Sequence, residues 1–185
     1  MFDKFIQTFK VSDEVCDDLI KYFNKNKKLQ IPGTVAGNKV IKKSKASTDI
    51  QFIYSHDSCS ELKKYVEEMV ICFNQYKQII PEIDLYCERF GLDTSINIQK
   101  YEKKEAFFDW HFENSKPYEK RIFVYMTYLN DVNEGGETAW YFQNVKMKPE
   151  KGLTVFWPAD WMYLHRGFPP TKGKKYIITG WFTKI

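Results

Sequence analysis

Three histidines, His56, His111 and His165, are the whole imidazole supply of this chain, so each can be weighed for chemistry. His56 stands beside Asp57 with no second donor at a useful spacing, and it reads as a surface histidine. His111 differs, because Glu113 follows two residues later in a stretch that reads as extended, and residues i and i+2 of a strand project from the same face. The imidazole and the carboxylate are therefore expected side by side. His165 lies in another predicted strand, where an antiparallel sandwich would bring it opposite His111. Two imidazoles and one carboxylate hold a divalent cation from one side and leave three positions open on iron(II), or normally one on zinc. The donor set alone does not choose the metal.

What discriminates is the stretch from Arg166 to Tyr176. A 2-oxo acid that chelates the metal and carries a distal carboxylate needs a cation deeper in the pocket. Lys175 leads into a predicted strand and would supply that cation as a point charge, with Lys172 and Lys174 as neighbours that composition does not separate from it.

These groups must be positioned by a β-rich second half. From Ser95 onward, short runs of β-branched and aromatic residues alternate with turn residues, which predicts strands at 96–101, 107–112, 122–129, 138–142, 153–157, 162–166 and 176–182. Asn130, Asp131, Gly135 and Gly136 mark one turn, Pro149 to Gly152 a second, and Pro169 to Gly173 a third. Seven strands with no helical pattern between them predict an antiparallel sandwich or jelly roll. The first half reads helical. Ser12 is placed to cap a helix bearing Val15, Leu19, Ile20 and Phe23 on one face, and Ser58 with Glu61 reads as a capping box opening a second helix. Between them, a lysine-rich stretch broken by Pro32, Gly33 and Gly37 reads as an exposed loop. The expectation is one α+β domain over 1–185, with a mainly helical support at 1–93 and the core and metal site at 94–185.

Composition narrows the function. With 28 basic and 24 acidic residues, 43% hydrophobic and 17% aromatic, the chain is a compact fold and not a disordered one. Only three basic residues are arginine and no basic-aromatic stripe runs along the sequence, which disfavours nucleic acid. The absence of an apolar run of roughly 20 residues and of an export signal predicts a soluble, cytoplasmic protein with no membrane partner. Cys16, Cys59, Cys72 and Cys87 show no CxxC spacing and are expected to be reduced.

Taken together, the residues resemble a known family. From Asn97 to Phe182 the chain is similar to the prolyl 4-hydroxylase-like branch of the Fe(II)- and 2-oxoglutarate-dependent dioxygenases. The resemblance is carried by Asn-Ile-Gln-Lys-Tyr (97–101), Trp-His-Phe-Glu (110–113), Met-Thr-Tyr-Leu-Asn-Asp-Val (126–132), Gly-Gly-Glu-Thr (135–138), Lys-Pro-Glu-Lys-Gly (148–152), His-Arg-Gly (165–167) and Lys-Tyr-Ile-Ile-Thr-Gly-Trp (175–181).

The resemblance implies a double-stranded β-helix, a jelly roll of antiparallel strands buttressed by the N-terminal helices. It implies His111, Glu113 and His165 as iron(II) ligands and catalytic centre, and Lys175, Thr138, Tyr101 and Trp181 around 2-oxoglutarate. Arg121 falls on the substrate side. Dioxygen would be the second cosubstrate and ascorbate an accessory reductant. The implied reaction hydroxylates an unactivated C–H bond, on a prolyl or other peptidyl residue or on a small molecule. Three positions depart from the family pattern: Glu113 replaces the usual aspartate, Phe108 replaces a tyrosine, and Tyr101 stands one residue further from His111 than usual. Two other readings stay open on the residues, a β-sandwich that binds metal or peptide without turnover and a zinc hydrolase on the same ligands. Phe107, Phe108, Tyr125, Phe156 and Trp157 are expected to line the pocket, and specificity is expected from loops such as 33–49.

Overall fold

The computed structural model describes residues 3–185. In chain order the elements are β1 (Gln7–Lys10), α1 (Asp13–Lys25), β2 (Ile31–Pro32), β3 (Thr48–Ile53), α2 (Ser60–Ile79), α3 (Glu82–Tyr86), β4 (Phe90–Tyr101), β5 (Arg121–Tyr128), β6 (Thr138–Trp140), β7 (Val145–Met147), β8 (Leu153–Pro158), β9 (His165–Gly167) and β10 (Lys175–Lys184). A seven-stranded sheet runs β1-β8-β5-β10-β4-β3-β2, and a three-stranded sheet runs β7-β6-β9. Every paired strand is antiparallel. The result is an α+β jelly roll in which the large sheet carries helices on one face and the small sheet on the other.

Strand alternation builds the two cores. On β5, Phe123 and Tyr125 join Phe156, Ile178 and Phe182 beneath α1 and α2, while Val124, Met126 and Tyr128 turn to the opposite face with Trp140, Trp157, Ile177 and Trp181. The helical side is an aromatic pack centred on Phe73, stacked on Phe182 at 3.8 Å. The expected inward set is therefore corrected. Phe107 and Trp157 line the cavity, but Tyr125 and Phe156 fall on the helical face by register, and Phe108 is not among the lining residues.

Ser12 caps α1 as expected, its Oγ accepting from the Val15 amide at 3.4 Å. The capping box does not form. Helix α2 begins at Ser60 with Cys59 at the cap, because the Ser58 hydroxyl is taken by the Ser55 amide in the preceding turn. The first half also contributes more than helices, since β1 and β3 extend the large sheet on both flanks. The 107–112 stretch is not a continuous strand. It makes isolated bridges, Lys45 to Phe107 and His111 to His165, because it must lie against two different neighbours. The predicted strand at 162–166 is a 3₁₀ turn, Trp161–Tyr163, followed by β9. Strand β7 was not anticipated. All four cysteines are free, and among the described residues no helix is long and apolar enough to cross a membrane.

Candidate metal centre and cosubstrate pocket

His111 and His165 face one another as a hydrogen-bonded antiparallel pair: the His111 amide donates to the His165 carbonyl at 3.0 Å, and the His165 amide returns the bond at 2.9 Å. Glu113 is held by its own amide donating to Ala159 at 2.9 Å. Backbone pairing thus converges residues far apart along the chain. One ligand atom from each of His111, Glu113 and His165 lies within 4.8 Å of the others.

The donor chemistry fits a divalent cation. Each imidazole points Nδ1 at a backbone oxygen two residues upstream, His111 at Asp109 and His165 at Tyr163, both at 2.9 Å. A carbonyl only accepts, so Nδ1 carries a proton and Nε2 is the nitrogen left to face a cation. Both Nε2 atoms lie 3.6 Å from Glu113 Oε1. Phe107 stacks on the His111 ring at 3.6 Å and fixes its plane. Burial and the neighbouring His165 push His111 down to about 4, so its imidazole is neutral and ready to ligate at ordinary pH. Burial alone would raise the Glu113 carboxyl, yet its contacts with His165, His111 and Arg121 outweigh that and hold it at about 2.

The same cavity, of about 460 Å³, reaches Lys175, Thr138, Tyr101, Arg121 and Trp181 as well as the three donors. Lys175 is 2% exposed. Its Nζ donates to the Gly136 carbonyl at 3.1 Å and sits 4.7 Å over the Tyr101 ring, with no ion-pair partner among the described residues. Burial lowers it from 10.5 to about 8. An ammonium buried without a counterion is costly unless an anion arrives, which is the signature of an anion subsite. Gly135 and Gly136 bring the Gly136 carbonyl there through left-handed turns at φ 74° and 79°, which side chains rarely adopt.

The remaining positions fall as follows. Thr138 Oγ1 accepts from the Tyr128 hydroxyl at 2.7 Å, and the Tyr101 hydroxyl donates to Gln99 Oε1 at 2.5 Å. Arg121 lies 3.4 Å over the Trp181 ring and 4.0 Å over Tyr118, and its Nη1 reaches Glu113 Oε2 at 3.1 Å. A residue expected on the substrate side is therefore also bonded to a metal-ligand candidate. His56 is exposed beside Asp57 and stands apart from the cavity.

Sequence reasoning missed Lys45 and Asp49. The lysine-rich stretch reads as solvated, but Lys45 and Asp49 are buried, paired at 2.7 Å, and both line the cavity, with Ser47 Oγ donating to the other Asp49 oxygen at 2.7 Å. The overlooked signal was Asp49 itself, an acid opening a run of β-branched and aromatic residues directly after the basic stretch.

Comparison with known proteins agrees with this architecture. Residues 96–183 match the family described as the 2OG-Fe(II) oxygenase superfamily. A relative named probable prolyl 4-hydroxylase 9, from Arabidopsis thaliana, is 34% identical over a match covering 47% of this chain and 40% of that protein. The chain thus matches well under two thirds of that relative's length. Among solved structures, the viral collagen prolyl hydroxylase of Paramecium bursaria Chlorella virus-1, in complex with 2OG, superposes at a TM-score of 0.72 with 21% identity, covering 98% of this chain and 97% of that one. A prolyl hydroxylase from Trichoplax adhaerens, bound to a hypoxia inducible factor peptide fragment, superposes at 0.75 with 16% identity, covering 98% and 84%. Residues 96–183 are thus similar to the 2OG-Fe(II) oxygenase superfamily, and the fold of the whole chain is that of the solved prolyl hydroxylases.

Proposed function

We propose that this protein is an Fe(II)- and 2-oxoglutarate-dependent dioxygenase that hydroxylates a C–H bond of a prolyl or other peptidyl residue. The carrying observation is the pairing, in one cavity, of a His-Glu-His donor cluster with a buried, counterion-free Lys175. Iron(II) bound there would supply the family's chemistry, in which 2-oxoglutarate, O₂ and R–H become succinate, CO₂ and R–OH.

The chain's own groups do the rest. His111, Glu113 and His165 are the proposed ligands. The Lys175 ammonium pairs with the distal carboxylate of 2-oxoglutarate, the Thr138 hydroxyl lines the cavity with its proton free to hydrogen-bond it, and Tyr101 would do so by turning its proton from Gln99 to the carboxylate. Trp181 and Trp157 form apolar walls that exclude water and strengthen that charge pairing. Arg121 holds Glu113 and borders the space left for the target residue. The peptide held by the Trichoplax structure supports a peptidyl substrate, and the four free cysteines support a reducing, cytoplasmic setting.

The test is anaerobic addition of Fe(II) and 2-oxoglutarate, then air and candidate peptides. A weak visible charge-transfer band, succinate formation and a peptide mass gain of one oxygen are expected. No band together with no calorimetric binding of 2-oxoglutarate refutes the proposal.

A further inference from the structure

The segment that joins α1 to β3 carries a charge imbalance that the fold does not neutralise. Residues 25–48 hold seven lysines and no acidic residue, while the other 161 residues hold 21 basic and 24 acidic groups. Lys45 is buried against Asp49. Lys25, Lys27, Lys28, Lys39, Lys42 and Lys43 are exposed, and none has an ion-pair partner among the described residues. Aliphatic side chains stand in water among them: Leu29, Ile31, Val40 and Ile41 are 39 to 51% exposed. Lys27, Ile31, Val40 and Lys42 line one cavity of about 400 Å³, so the charged and apolar groups share a face. Backbone pairing keeps them there. Ile31 and Pro32 pair with β3, the Gly33 amide donates to the Ser47 carbonyl at 2.9 Å, and the Lys45 amide donates to the Ile41 carbonyl at 2.9 Å. The same segment, through Thr34, Val35, Ser44 and Lys45, also walls the cavity that holds the donor cluster.

We propose that this face docks on an anionic membrane surface, with the lysines meeting lipid headgroups and the aliphatic side chains entering the interface between them. The lack of a spanning helix bears on crossing a bilayer and not on lying against one. Soluble surfaces intersperse the two signs of charge, and a cluster of unpaired lysines around exposed aliphatics is instead the complement of a negative leaflet. A nucleic acid fits less well, because such surfaces offer aromatic rings for bases to stack on, and residues 25–48 hold no aromatic residue and no arginine. A soluble polyanion satisfies the lysines but leaves the four aliphatic side chains in water. Docking would hold the catalytic cavity at the membrane surface, since the docking segment is also its wall. None of the six exposed lysines lines that cavity, so the proposal stands apart from the oxygenase reading.

The experiment is co-sedimentation of the full chain with vesicles of phosphatidylcholine alone and of phosphatidylcholine carrying about 30% phosphatidylserine, at roughly 0.15 M salt. The wild type is expected to bind the phosphatidylserine vesicles at least about tenfold more tightly. Each lysine near such a surface contributes roughly fivefold, so Lys27→Gln/Lys42→Gln should lose about 25-fold, and Lys28→Gln/Lys43→Gln a similar amount. Val40→Ser/Ile41→Ser should lose about tenfold on the same vesicles and still elute from a heparin column at the wild-type salt concentration, because heparin reads the charge alone. Thermal melting confirms that these changes at exposed positions leave the fold intact. Equal binding to both vesicle types overturns the proposal, as does undiminished binding by the folded lysine variants. A Val40→Ser/Ile41→Ser variant that binds phosphatidylserine vesicles like the wild type overturns it too, reducing the face to a general polyanion site, and so does tighter binding of duplex DNA than of vesicles through the same lysines. Calorimetry with 2-oxoglutarate on the same variants should be unchanged and reports on the oxygenase reading separately.

Discussion

Arg121 and Glu113 share a bond that assigns the two carboxylate oxygens different tasks: Oε2 accepts from Arg121 Nη1 at 3.1 Å, and Oε1 is left 3.6 Å from both imidazole nitrogens. Glutamate is one methylene longer than the aspartate usual in the family. The guanidinium, clamped between Tyr118 and Trp181, draws the far oxygen aside so that the near one occupies the donor position. Arg121→Ala should therefore weaken Mn(II) binding by about 10- to 100-fold, the range expected for partners that orient a metal ligand. Calorimetric titration with Mn(II) reads this directly, and an unchanged affinity would show that Glu113 orients itself.

Lys175 predicts a pH dependence of cosubstrate binding. Its pKa in the ligand-free protein is about 8, so the ammonium that would pair with a distal carboxylate disappears as the pH rises through that value. Affinity for 2-oxoglutarate should be flat below pH 8 and fall about tenfold per unit well above it, with proton uptake on binding in the same range. Titrations in buffers of different ionisation enthalpy check both. Affinity that stays level to pH 10 would remove Lys175 from the anion site.

The same residue should cost stability when no anion is bound. Protonation of Lys175 is disfavoured by folding, since its pKa is 10.5 in the reference state and about 8 in the fold. The unfolded chain thus binds more protons between these values. Stability should rise as the pH climbs from 8 to 10.5, and the full penalty should apply below 8. Lys175→Met should stabilise the ligand-free protein at pH 7 by up to roughly 3 kcal/mol while abolishing 2-oxoglutarate binding. Urea unfolding beside calorimetry separates the two effects, and a destabilised Lys175→Met variant would contradict the argument.

Breaking the Lys45–Asp49 pair should have the opposite consequence. Both side chains are almost fully buried at 2.7 Å, so Asp49→Ala strands an ammonium next to the cavity. A loss of about 3 to 5 kcal/mol is expected, and Lys45→Met/Asp49→Leu should recover most of it. Chemical denaturation of the single and double variants decides this, and equal losses in both would show that the pair's charges are not what matters.

Metal loading should register in thermal stability without any turnover. Ni(II) at 100 times its dissociation constant should stabilise the wild type by about 2.7 kcal/mol, and His165→Ala should abolish that increment. A chelator should reverse it. An equal upward shift in the His165→Ala melting temperature would mean that the ion binds elsewhere.

The grouping of His111, Glu113 and His165 with Lys175 in one cavity was anticipated from the His-x-Glu spacing, the scarcity of histidine and the family resemblance after His165, although His111 makes an isolated bridge and not the expected strand. The helical faces of α1 and α2 were equally readable, since apolar spacing is a local property. Three things lay outside local pattern. Which aromatics face the cavity depends on strand register, so Tyr125 and Phe156 went to the helical core. Lys45 looked solvated because charge is normally exposed, and only the partnership with Asp49, set by the path of β3 beside β4, makes its burial affordable. The exposed group of Trp161, Phe142 and Tyr141 had no sequence signature, because Tyr141 and Phe142 sit on the turn after β6 and meet Trp161 of the 3₁₀ turn before β9 only in the fold. Residue types and spacing thus determined which atoms could do chemistry. Long-range backbone pairing decided where those atoms meet, what neutralises them and what surface surrounds them, because such pairings join chain segments that no local periodicity relates.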